Sequence, residues 1–363
     1  MSKAAVAWYS GLGRMRFFHD RQARREPLKA QPKTRKMRIL ELSARAVSEN
    51  SISQRMCFAC GGPPSTGAGE HVIPKWLQHK FNLFNERLTL LNGTLIPYRN
   101  LTVPCCEACN NGFLSQIENA VQPIIERGTV ETQDEKLLLG RWLSKILIGF
   151  LVKETGLLLD RKRPDSGPMV PAQFIEELQH CHFVLQSARK PTTFRCLHGD
   201  LPFSLYFYEV TDTGGDQEFD LSTNIFGQSA AIRVGRLGVI FVSDGGLQMH
   251  AGPGGPYALS GSAVIGAQFS ELAARVHYKA TLRDATHFYI TSENDEFMQV
   301  EQMHVESYSG LIPGSDELRI FKDWDEEAFS YALAAYTRCE RSAVFDEGTK
   351  TCKSTLGSLL SDH

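Results

Sequence analysis

Two cysteine pairs, Cys57-Phe58-Ala59-Cys60 and Cys106-Glu107-Ala108-Cys109, flank one long loop of the chain. Each pair offers two thiols at a spacing that lets both sulfurs reach one ion, and four thiolates suit a tetrahedral Zn²⁺. Cys105 adjoins Cys106, but the two-residue gap to Cys109 favours Cys106 as the ligand. Cys60-Gly61-Gly62-Pro63 reads as a knuckle turn whose glycines let backbone amides approach a bound sulfur. Inside the closed loop lie Glu70 and His71, and Asn110 directly follows the last cysteine. A zinc ribbon needs none of these three. On a strand, Glu70 and His71 point to opposite sides. Carboxylate and amide oxygens suit a hard divalent cation, and a histidine accepts a proton at neutral pH.

The string Cys57-x2-Cys60, Glu70-His71-Val72-Ile73-Pro74-Lys75-Trp76, Cys106-x2-Cys109-Asn110-Asn111-Gly112-Phe113-Leu114 and Glu118 resembles the HNH (ββα-metal) endonuclease superfamily, in its zinc-stapled branch with two C-x2-C pairs. The resemblance covers about residues 55–126. It implies an endonuclease that hydrolyses DNA phosphodiester bonds, with His71 as general base and Glu70 and Asn110 holding Mg²⁺ or Mn²⁺. Asn100 matches the family's middle asparagine and would orient the loop carrying His71. Asn111 replaces Asn110 if the helix starts one residue later. Glu70 stands where the family commonly has Asp or His, and Asn110 where it often has His. Glu118 matches a family position but reads more simply as a structural ion pair. Lys75 and Arg99 are either phosphate contacts or solvated charges. The resemblance also implies DNA as partner and a prokaryotic defence or mobile-element setting, with other proteins of that system as further partners. The rival reading is a non-catalytic zinc-ribbon adaptor binding nucleic acid or protein; an RNA-directed nuclease is a third.

The chain has 363 residues, 42% of them hydrophobic, enough for more than one globular unit. Its formal charge of −2 hides an asymmetry: residues 1–50 hold twelve Lys/Arg against four Asp/Glu, a net +8 that leaves −10 for the rest. A basic arm suits phosphate attraction, although a solvated tail explains it equally, and an acidic body is a poor main DNA surface. The most apolar stretch, Leu137 to Leu159, is interrupted by Arg141, Lys145, Lys153 and Glu154, so no membrane span is expected. Nine cysteines, four in metal spacing, fit a reducing cytoplasm better than a disulfide framework.

The expected fold class is α+β: an N-terminal zinc-stapled ββα-metal module, a helix, and a β-rich α+β C-terminal domain. The expected division is a basic, flexible extension over 1–50, the nuclease module over 51–130, a connecting amphipathic helix within 131–163, and a regulatory or targeting domain over 164–363. Within the module a helix is expected from Pro74 to Leu83, a type I′ hairpin at Asn92-Gly93, a strand at Leu101 to Val103, and a helix from Gly112 that Pro123 kinks or restarts. Beyond it come a helix at Phe174 to Leu178, strands at 183–186, 193–197, 204–210, 230–234 and 239–242, and helices at 271–280 and 326–341. His180, Cys181, His182, Cys196 and His198 would sit on strands, either as packing residues or as a second metal site. A nuclease fragment ending near Lys162 is expected to retain cleavage.

Overall fold

A computed structural model describes residues 56–65, 69–170, 179–196, 201–211, 218–243, 259–283, 289–302 and 321–356. The basic extension, the helix at Phe174 to Leu178 and His198 lie outside the described residues.

The first strand, β1 (Glu70–His71), pairs antiparallel with β4 (Thr102–Val103), Glu70 opposite Val103 and His71 opposite Thr102. Between them run helix α1 (Lys75–Lys80) and a hairpin of β2 (Arg87–Thr89) and β3 (Leu95–Pro97). The hairpin falls at the expected place, but its turn differs. A type I′ turn needs positive φ at both central residues. Here Gly93 has φ 77° and Asn92 does not, and Gly93 N donates to Leu90 O. Asn92 instead uses its side chain: Oδ1 accepts from Thr94 N, and Nδ2 donates to Leu158 O. After β4 the helical chain begins earlier than expected, as α2 (Glu107–Cys109), breaks at Gly112 (φ −91°, ψ −120°), and resumes as α3 (Ser115–Arg127). Pro123 sits inside α3 without ending it, and Gly128 closes the helix in the left-handed conformation.

Helix α4 (Gln133–Thr155) starts at a capping box: Thr132 Oγ1 accepts from Glu135 N while the Glu135 carboxylate accepts from Thr132 N. It is not amphipathic as expected. Most residues from Leu139 to Val152 are buried on every face, because the helix is covered on one side by the segment that carries the four cysteines and on the other by a sheet.

The sheet has the order β10-β6-β9-β8-β7, from β6 (Ser204–Val210), β7 (Phe219–Asn224), β8 (Ser229–Val234), β9 (Leu237–Val242) and β10 (Ala263–Val264). Alternation splits each central strand between two cores. Leu205, Ile232, Val239 and Phe241 face the α4 side. Tyr206, Ala231, Ile240 and Val242 meet Phe269, Leu272 and Val276 of α6 (Gly266–Thr281) on the other. Helix α7 (Glu326–Thr337), N-capped by Asp325, packs on α6. The expected single helix over 326–341 ends at Arg338, in the left-handed conformation, before α8 (Arg341–Val344).

The described residues therefore form layers that share a core: one apolar cluster runs from Cys57 through Trp142 to Phe241. A fragment ending near Lys162 would cut through this cluster. A second difference is α5 (Gln179–Gln186), where a strand was expected over 183–186. Its Cys181, Val184 and Leu185 are buried in the same core, and this docking against α4 overrides the β preference of Phe183-Val184. Among the strands without a clear signal are β7, at a sheet edge and polar at four of its six positions, and β11 (Tyr289–Glu293) and β12 (Met298–Gln302), which join β5 (Thr192–Arg195) in a small sheet.

Candidate metal centre

The sulfurs of Cys57, Cys60, Cys106 and Cys109 all lie within 4.8 Å of one another. A tetrahedral zinc with Zn–S bonds of about 2.3 Å would set its sulfurs about 3.8 Å apart. Cys60 Sγ and Cys106 Sγ are 3.7 Å apart, so the donor set fits that ion. Cys105 Sγ is 3.9 Å from Cys57 Sγ but turns toward Cys106 O and stays outside the four-sulfur group. The knuckle closes through Cys57 N to Gly62 O and Gly61 N to Cys57 O, and Gly62 N approaches Cys60 Sγ at 3.4 Å. Packed this closely, the thiols do not ionise together unaided. Cys57 is drawn far down by hydrogen bonds from Cys105 and Cys109, and those two are pushed far up by the same contacts and by burial. A divalent cation would resolve the conflict, with Cys57, Cys60, Cys106 and Cys109 holding it as thiolates.

The turn after α5 supplies a clamp that the spacing of the cysteines did not reveal. Arg189 Nη2 donates to Cys109 Sγ at 3.1 Å and to Ala59 O, and its guanidinium lies 4.1 Å from the centroid of the Phe113 ring. Gln186 Nε2 also donates to Ala59 O. A cation beside a zinc-bound thiolate offsets part of the negative charge that four thiolates place on the ion. His182 is buried against this knuckle, His180 bonds to Pro202 O and stacks on Tyr289, and Cys181 approaches Ser144 O. The three side chains diverge, so they are packing residues and make no second metal cluster among the described residues.

Glu70 and His71 lie where β1 meets α4. Glu70 is buried and His71 half-buried. Lys145 Nζ reaches Glu70 Oε1 at 2.6 Å, His71 O at 2.8 Å and Glu118 Oε1. Three acceptors satisfy all three ammonium donors. Burial works against the Lys145 charge, yet Glu118 and Glu70 hold its pKa above the usual lysine value. Glu118 is pushed up by burial, with Lys145 opposing and Glu70 adding. Glu118 thus takes the ion-pair role expected of it. The His71 ring is held below its ordinary pKa by burial and by the Lys75 charge, with Glu70 opposing, so it is a proton acceptor at neutral pH.

Lys145 belongs to a stripe of α4 at i, i+4, i+8 that lies along the β1–β4 pair. Gly149 leaves no room for a side chain, since a Cβ there would stand 2.8 Å from Val72 Cγ2. Lys153 Nζ donates to Asn100 O and Thr102 O. The backbone of Asn100 is therefore engaged. Its side chain is exposed and makes no hydrogen bond among the described residues, so the expected orienting contact to the His71 loop is not there. Asn110 is half-buried at the end of α2, and no hydrogen bond joins its side chain to Glu70 or His71. Asn111 bonds instead to Glu107. Arg99 is spent on Asn85 and the Phe84 ring, whereas Lys75 is exposed.

Lys145→Met should destabilise the protein by about 3–5 kcal/mol, because the buried Glu70 and half-buried Glu118 lose their counter-charge. Urea denaturation at neutral pH measures this, and a midpoint unchanged from wild type would show that the cluster adds nothing. The chain matches no protein-family model, no curated protein and no solved structure.

Proposed function

We propose that this protein is a metal-dependent endonuclease of the HNH type, acting on DNA and stapled by one structural zinc. One observation carries the reading: the antiparallel β1–β4 pair presents a half-buried His71 and a buried Glu70, and the four-cysteine cluster closes the same loop at the start of the following helix. Glu70 with Asn110 is the proposed holder of Mg²⁺ or Mn²⁺. Glu70 and Glu118 set two carboxyl groups around the single Lys145 ammonium, an oxygen-rich setting that suits an added hard cation. Such an ion would supply charge stabilisation on the scissile phosphate. His71 takes the proton of the attacking water at a ring nitrogen. Lys145 holds the His71 carbonyl and Glu70 in place, and the +8 charge of residues 1–50 supports attraction to phosphate. Prokaryotic defence or mobile-element activity, with partner proteins of such a system, is the proposed setting.

A second reading has its own support. The engagement of Glu70 by Lys145 favours a non-catalytic zinc module that binds nucleic acid or protein. Incubation of full-length protein with plasmid DNA or with RNA, in Mg²⁺, Mn²⁺ or EDTA, separates the readings. Metal-dependent plasmid cleavage supports the nuclease; cleavage of RNA alone corrects the substrate; no cleavage of either returns the protein to the adaptor reading.

A further inference from the structure

Away from the metal centre, a cavity of about 310 Å³ lies between the β2–β3 hairpin, the last turns of α4, the edge strand β7 and α7. This is the size of a site for a one- or two-ring molecule. The rings of Tyr98, Phe150, Phe219 and Tyr336 line it, as does Glu154. Glu154 is only 3% exposed; its carboxyl group accepts from Leu91 N, and Oε2 has no hydrogen-bond partner among the described residues. A carboxyl oxygen buried without a partner is costly in a protein that gains nothing from it. The remaining charged groups on the lining nearly cancel. Arg338 pairs with Asp220 at 2.5 Å, and Glu86 is matched in number by the exposed Arg87. None of the donors on the lining bonds Glu154 Oε2.

We propose that this cavity binds a small planar group bearing two adjacent N–H donors, with the Glu154 carboxylate as its receptor and the surrounding rings as its walls. Amidines and guanidines carry such an edge, and so does a guanine base. An ionised carboxylate offers only acceptors, which match paired N–H groups, and aromatic faces favour a planar cation. An anionic ligand gains no net attraction from the two balanced charge pairs and meets only acceptors at the ionised Glu154 carboxylate, so it is disfavoured.

Burial pushes the Glu154 carboxyl up to about 8, so the empty site holds a proton at neutral pH. A charged amidine binds the ionised form, and that proton leaves to solvent. Affinity should therefore rise with pH up to about 8. The other ionisable groups on the lining are Glu86, Asp220, Arg87, Arg338, Tyr98 and Tyr336; burial raises both tyrosines, Tyr98 to about 12, which takes them out of this interval.

Isothermal titration calorimetry of the full-length protein with benzamidine, guanosine and, as the anionic isostere, benzoate tests the proposal at pH 6 and pH 8. At least one of the first two should bind, benzamidine about tenfold or more tighter at pH 8 where it is the ligand, and benzoate should not. Guanosine, uncharged, distinguishes a base site from a cation site. Glu154→Gln should weaken binding about tenfold or more, and Phe219→Ala should weaken it with Glu154 intact. Absence of binding by both ligands at millimolar concentration, equal binding of benzoate, or full affinity in a folded Glu154→Gln variant would each overturn it.

Discussion

Cys109→Ser should yield a protein without zinc and without a stable fold over residues 56–127. Cys109 is buried, contributes one of four convergent sulfurs, and is the sulfur that Arg189 contacts. Its loss removes a ligand and strands a guanidinium between Ala59 O and the Phe113 ring. Structural zinc sites contribute about 10–16 kcal/mol to folding of small domains, comparable to the whole stability of a typical one. The apolar cluster around α4 continues from the knuckle into the sheet, so the damage should spread beyond the module. Elemental analysis should find about one zinc per wild-type chain and none in the variant, whose cooperative thermal transition should fall or vanish. A zinc-free variant with wild-type unfolding would mean that the four sulfurs staple nothing.

His71→Ala should have the opposite profile, an intact fold with little cleavage. The bonds that hold this part of β1 use its own backbone atoms and not the His71 ring: Lys145 Nζ donates to His71 O, and Val72 N donates to Leu101 O. Alanine keeps them all. The ring, half-buried on the strand, is the group with proton-accepting capacity, and removing a general base costs about 10²–10⁴-fold in rate. Single-turnover cleavage of a labelled duplex, alongside zinc content and thermal unfolding, reads both halves of the expectation. A variant that loses zinc or unfolds would instead assign His71 a structural part.

The sequence made the metal centre legible because chemistry constrains spacing there: C-x2-C pairs, a knuckle glycine and a strand on each side of one loop leave few arrangements. What surrounds the centre was harder to see. Lys145 looked like a charge that interrupts an apolar run, and only its register with Gly149 and Lys153 marks the face that meets β1 and β4. Arg189 is far from Cys109 in the chain and reaches it through a helix that reads locally as a strand. Strands β6, β8 and β9 were found by their apolar runs, yet those runs did not disclose that both sheet faces are covered, one by α4 and the other by α6. The module therefore looked separable when its core is shared. The Asn92-Gly93 pair marked the hairpin correctly, and the turn that forms there has Asn92 Oδ1 accepting from Thr94 N.

Cleavage rate against Mg²⁺ and Mn²⁺ concentration, measured in parallel for wild type, Glu70→Gln and His71→Ala, separates metal binding from proton transfer. Glu70→Gln should shift the curve to higher metal and recover in part at raised Mn²⁺, because it weakens a proposed metal ligand while the His71 base is kept and Lys145 keeps Glu118 as a partner. His71→Ala should stay low at every concentration, because added metal does not replace a missing base. Wild-type rates from His71→Ala across the titration would contradict the proposed site.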